Sequence, residues 1–137
     1  MEMNEPTANN PAAGQGPKAL IYVVDDEPML LVLACKILEP LGYAVNTFRD
    51  PESALQAFTT AKPPPAVIIT DYAMHVMTGL DLIKACRRLQ PRQRILLVSG
   101  TVDEHVYRNS PVKPDRFLAK PYEAKQLAAV VESLLGG

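Results

Sequence analysis

The sequence predicts a doubly wound α/β protein: one five-stranded parallel sheet with helices on both faces, in three layers. Two observations carry this. Short continuous apolar runs at 19–24, 66–70 and 94–98 have the length and composition of strands buried on both faces. Segments of helical period fill the gaps, and strand–helix alternation with right-handed crossovers produces a parallel sheet.

The elements follow in order. The first strand is 19–24. The first helix, 28–39, opens on Pro28 and stops before Pro40 and Gly42. A weaker strand at 43–47 leads to Asp50 and Pro51, which start a second helix running to about Ala61. Pro63, Pro64 and Pro65 form a stiff connector into the third strand. A third helix spans 79–89, and the fourth strand follows at 94–98. A short fourth helix is expected at 103–109, cut off by Pro111 and Pro114. The fifth strand is 116–119. Pro121 starts the last helix, with Leu127, Val130, Val131, Leu134 and Leu135 at helical spacing. Residues 1–17 are rich in Asn, Ala, Gly and Pro and lack periodicity, so they read as a disordered tail before one domain at 18–137.

Composition narrows the function. A net charge of −1 and no basic cluster leave little pull toward nucleic acid or anionic membrane. The two cysteines, Cys35 and Cys86, lack metal-ligand spacing and read as reduced, buried thiols. No run has the apolar length of a membrane span, and the N-terminus lacks a signal-peptide layout. A cytoplasmic protein is expected.

In sheets of this kind, sites lie beyond the carboxyl ends of the strands. There the sequence places Asp25 and Asp26, then Asp71, then Ser99 and Gly100, then Lys120 and Pro121. Three clustered carboxylates repel one another unless a cation intervenes. Mg2+ takes oxygen ligands and suits such a set. An aspartate can attack a phosphoryl group, and an ammonium and a hydroxyl can then balance the new oxygens. Each fragment also has a plainer reading. Residues 25–28 could form a helix cap with an acidic first turn, Ser99-Gly100 a turn, and Lys120-Pro121 a strand–helix junction.

Intervals of 45, 28 and 21 residues separate Asp26, Asp71, Ser99 and Lys120. In order and spacing these motifs resemble the response regulator receiver family of two-component systems, including its chemotaxis regulators. The phosphoacceptor loop, with Met74 and with Met77, Thr78 and Gly79, fits as well. The resemblance covers about 19–135 and implies a flavodoxin-like (βα)5 fold. It implies that Asp71 accepts a phosphoryl group from a histidine kinase or histidine phosphotransfer protein, with Mg2+ (or Mn2+) as cofactor. Asp25, Asp26, Asp71 and the backbone carbonyl of Ala73 would hold the metal. Lys120 and Ser99 would bind the phosphoryl group. Phe117, at the family's aromatic switch position, would turn inward and alter the surface of the fourth helix, fifth strand and last helix. Ala73 and Thr101 would tune access of water, and small Ala73 leaves that path open. The protein would act on a downstream protein target, as a monomer or a phosphorylation-dependent homodimer. It would catalyse only its own phosphotransfer and dephosphorylation.

The competing readings are a degenerate receiver used as an interaction module and a flavodoxin-like cofactor binder. Asp25-Asp26-Glu27 after the first strand would repel a cofactor phosphate. No output domain follows Leu135, so a stand-alone regulator or an excised module is expected, and Met1 with its short tail favours the former. The loop departs from the family where His75, not proline, follows Met74. His75 reads as a solvated loop residue, with a metal or pH-sensing role as the alternative. In the first helix, Leu30, Leu33, Ala34, Ile37 and Leu38 make one apolar stripe. Leu31, Val32 and Cys35 lie outside it and form a candidate kinase-docking patch.

Overall fold

The computed structural model describes residues 18–100 and 104–136, excluding the side chains of Glu104 and Val106. The expected tail at 1–17 and the tuning residue Thr101 lie outside the described residues. The chain runs β1 (Leu20–Val24), α1 (Pro28–Leu38), β2 (Ala44–Phe48), α2 (Pro51–Thr60), β3 (Val67–Asp71), α3 (Gly79–Leu89), β4 (Arg94–Ser99), β5 (Arg116–Ala119) and α4 (Ala124–Gly136). Two 3-10 turns, Glu39–Leu41 and Glu104–Tyr107, complete the described elements. The strands form one sheet in the order β2-β1-β3-β4-β5. Every pairing is parallel, as the strand–helix alternation predicts.

Alternation along each strand sorts side chains into two cores. Ile21, Val23, Val67, Ile69, Leu96 and Val98 face α1 and α4. Tyr22, Val24, Ile68 and Ile95 face Ala54 and Phe58 of α2 and Leu82, Ile83 and Cys86 of α3. The three central strands are buried on both faces, which explains why their sequences read as unbroken apolar runs.

Local chemistry fixes the helix starts. At α2 the Asp50 carboxylate accepts from the Ser53 amide at 2.7 Å and the Ser53 hydroxyl at 3.0 Å. These two bonds hold its pKa below the usual carboxylate range. At α3, Thr78 and Asp81 form a reciprocal capping box. After α1, Gly42 adopts a left-handed conformation at φ 102°, so the chain turns sharply into β2.

Three expectations are corrected. The segment expected as a fourth helix contains only the 3-10 turn Glu104–Tyr107 among its described residues. Pro111 and Pro114 supply no amide donors there. Asp115 pins the chain just before β5: its amide donates to Ile95 O at 2.9 Å, and its carboxylate accepts from the Ile95 amide at 2.7 Å and Arg87 at 2.8 Å. The last helix begins at Ala124, not Pro121, because Tyr122 is drawn onto the core and Gln126 Oε1 caps the Glu123 amide at 2.7 Å.

The third correction concerns α1. Its buried residues are Leu31, Ala34 and Leu38, while Leu33 is 41% exposed. Leu31 is therefore core and not part of a docking patch. The helix is apolar on nearly every side, so its own periodicity does not fix which face turns inward. Packing against α4 and the sheet selects the face with Leu31. Replacing Leu31 by Ala should lower unfolding free energy by about 2–5 kcal/mol in urea titrations. Val32→Ala, at an exposed position, should stay within about 0.5 kcal/mol of the parent.

Candidate functional site

The parallel register brings the strand ends to one edge of the sheet. Val24 pairs with Thr70, so Asp25 and Asp71, each one residue further on, lie side by side. Asp71 pairs with Val98 and Ser99 with Ala119, which places Ser99 and Lys120 at the same edge. Asp25, Asp71 and Ser99 are buried, and Asp26 is half-buried at the mouth. One oxygen from each of Asp25, Asp26 and Asp71 falls within 4.8 Å of the others. Lys120 Nζ lies 3.0 Å from Asp25 Oδ2 and 3.2 Å from Asp71 Oδ1.

These contacts decide among the plainer readings of the motifs. The N-cap of α1 is Glu27, and its side chain makes no capping hydrogen bond. Asp25 spends one oxygen on the Glu27 amide at 2.9 Å and the other on Lys120. Lys120 does more than join β5 to the next segment: its ammonium bridges two buried carboxylates from different strands.

Burial raises the pKa of Asp71 above the usual carboxylate range. The Lys120 charge opposes this, and the charges of Asp25 and Asp26 reinforce it. For Lys120, burial alone would disfavour the ammonium. The hydrogen bond and charge of Asp25, joined by Asp71, outweigh burial and raise the pKa. Burial likewise raises that of Tyr122. A hard divalent cation fits the three-oxygen set, because it would neutralise the acid that Lys120 leaves at the mouth and take further ligands from water.

Gly79 had no assigned role in the sequence beyond its place in the loop motif. A Cβ there would lie 2.5 Å from Asp71 O and 2.7 Å from Leu97 Cδ1. The Gly79 amide also donates to Tyr72 O at 2.8 Å, closing the loop behind Asp71. Only a residue without a side chain permits that approach. A glycine directly after the Thr78 cap was the visible signal.

The remaining predicted residues separate. Ala73 is exposed in the loop after Asp71. Phe117 is half-buried on β5, its ring 6.2 Å from that of Tyr107 at an interplanar angle of 43°. Val32 is exposed and Cys35 half-buried. Beside the acids lies a groove of about 360 Å³, lined by Leu30, Leu33, Gly100, Lys120, Pro121 and Tyr122. Leu30 and Leu33, read from the sequence as part of the apolar stripe of α1, thus line a surface groove next to the site. Both thiols are free, and burial pushes that of Cys86 up to about 12. No helix among the described residues is long and apolar enough to cross a membrane.

A doubly wound sheet with acids, a hydroxyl and a lysine at its carboxyl edge defines a receiver-type domain. The family model of the response regulator receiver domain matches residues 21–132. The chain belongs to that family. It is 27% identical to the response regulator receiver protein CpdR of Brucella abortus, an alignment covering 86% of this chain and 97% of CpdR. It is 28% identical to the sensor kinase CckA of the same organism, across 85% of this chain but 12% of the kinase. The chain spans a quarter of one further curated relative, NtrX of Azorhizobium caulinodans (26%), and about half of another, SphR of Synechococcus elongatus (54%). A receiver domain protein from Clostridium thermocellum superposes with a TM-score of 0.79 at 25% identity, covering 86% of this chain and 94% of that one. The chemotaxis protein CheY4 of Vibrio cholerae gives 0.78 at 28% identity, covering 85% and 98%.

Lys120 offers a direct test of the site's electrostatics. Lys120→Met should destabilise the metal-free protein by on the order of 3 kcal/mol at pH 7, because two buried carboxylates lose their counter-ion. Without the ammonium, the raised pKa of Asp71 rises further, and the folded state binds a proton that the unfolded state releases. Stability of the variant should therefore increase as pH falls from 7 toward 5. Urea titrations in a chelator at the two pH values would show it.

Proposed function

We propose that this receiver domain is a phosphorylation switch whose phosphoacceptor is Asp71. The reading rests above all on one observation: Lys120 Nζ sits 3.2 Å from Asp71 Oδ1, inside a buried cluster of acids. A carboxylate so placed has a cation ready for the oxygens of an incoming phosphoryl group.

In the proposed reaction an Asp71 oxygen attacks the phosphorus of a phosphohistidine on a histidine kinase or phosphotransfer protein. The new P–O bond forms as the P–N bond breaks, and the imidazole leaves with the electron pair and takes up a proton. Lys120 pairs with the transferred oxygens, and its second partner, Asp25, holds the ammonium in place. Asp25, Asp26, Asp71 and the Ala73 carbonyl would hold Mg2+ (or Mn2+), which would supply charge neutralisation at the phosphoryl oxygens. Ser99, buried at the end of β4, hydrogen-bonds the phosphorylated form, and Phe117 turns inward to follow it. That movement repacks the face of β5 and the Glu104–Tyr107 turn, a shift between two packings of one fold. The kinase docks on the exposed face of α1, where Val32 and half-buried Cys35 remain of the patch read from the sequence. A downstream protein target reads the repacked face.

Intact-mass analysis after incubation with acetyl phosphate tests this reading. One added phosphoryl mass should appear with Mg2+, disappear with chelator and be absent from Asp71→Asn. If the folded, Mg2+-loaded parent stays unmodified with acetyl phosphate and also with a phosphohistidine donor, Asp71 is not a phosphoacceptor and the domain is an interaction module. Small, exposed Ala73 leaves water a path to the acyl phosphate, so the modification should decay without partner protein, and persistence for many hours would contradict that role.

A further inference from the structure

We infer that His75 adds an imidazole ligand to the acidic site and makes it prefer borderline transition-metal ions, such as Ni2+, over Mg2+. The inference rests on the reading of Asp25, Asp26 and Asp71 as a metal site and goes beyond it by naming a further ligand and the class of ion it selects.

The three acids are shared unequally between two partners. Lys120 occupies Asp25 and Asp71 on the inner side of the cluster. Asp26, at the mouth, faces His75 instead, with Nε2 3.8 Å from Asp26 Oδ2. Two donors on adjacent corners of one transition ion, each bound at about 2.1 Å, lie roughly 3 Å apart. The observed separation is therefore within a small side-chain rotation of joint ligation. His75 has room for that rotation, since its side chain is 92% exposed. It stands four residues after Asp71, in the loop that Gly79 fastens behind the strand, so the imidazole is tethered close to the carboxylates it would join.

The chemistry of the donors then sets the preference. An all-oxygen set suits Mg2+, which binds imidazole weakly and keeps its water. A nitrogen donor adds affinity for Ni2+, Co2+ and Zn2+ in the order of their general preference for imidazole. His75 would add one nitrogen beside the Asp26 oxygen, leaving open positions for water or a phosphoryl oxygen. Family resemblance supplies no such ligand, because proline usually stands where this chain has His75.

Calorimetric titration of the full chain with Mg2+ and, separately, Ni2+ tests the inference, using the parent, His75→Ala and Asp26→Asn. The parent should bind Ni2+ more tightly than Mg2+. His75→Ala should weaken Ni2+ binding by about tenfold or more, a typical loss for a perturbed metal site, and leave Mg2+ affinity within about twofold. Asp26→Asn should weaken both. Equal losses for both ions in His75→Ala, or no loss for either, would overturn the role of His75 while leaving the carboxylate site standing. Ni2+ affinity unchanged in Asp26→Asn would place the ion elsewhere and overturn it too. If the parent binds neither ion, the metal-site reading and this inference fall together.

Discussion

Three carboxylates gathered at one end of a sheet would drive the strand ends apart without a cation among them. In this protein Lys120 supplies it. Its ammonium reaches Asp25 from β1's end and Asp71 from β3's end, while its own backbone amide is bonded to Ser99 O at 2.9 Å. One side chain thus ties three strands together at the site. The tie is asymmetric: it satisfies the two buried acids and leaves the half-buried Asp26 at the mouth. That leftover charge is the feature that a divalent cation, and His75 beside it, can use.

The rest of the fold serves to hold those ends in place. The central strands are buried on both faces, so a slip in register would carry each side chain into the opposite core and disrupt the packing of both. Register in turn fixes the height of Asp25, Asp71 and Ser99. Behind Asp71 the loop closes through Gly79, whose bare backbone lies against the Asp71 carbonyl. The α3 capping box of Thr78 and Asp81 begins at once, which keeps that loop short. On the far side of β4, Arg87 reaches Gln93, Lys113 and Asp115, anchoring α3 to the segments that lead into β4 and β5.

Much of this was legible in the sequence because strands and helices carry different periods. The apolar runs gave three strands directly, and proline and glycine marked most helix ends. The site was legible for a related reason. In a parallel α/β sheet the position of a residue just past a strand is also its position in space. Asp25, Asp71, Ser99 and Lys120 could therefore be grouped before any distance was known. Leu31 was misplaced because α1 offers apolar side chains in almost every direction, and no pattern on the helix distinguishes the inward one. The fourth helix was overextended because 103–109 holds no proline or glycine to break it, whereas the prolines and the Asp115 anchor act on the chain from outside the segment.

By itself, then, the sequence determined the α/β alternation, the two-faced burial of the central strands and the set of charged residues at their ends. These are properties of local order along the chain, carried by side-chain period and by residues that forbid or favour particular backbone shapes. The tertiary structure decided the rotation of α1, the start of α4, the close approach of Gly79 to the Asp71 carbonyl, and the division of the acids into a pair held by Lys120 and one that faces His75. Those depend on distances between segments far apart in sequence, where packing and charge act through space and leave no periodic trace in the chain.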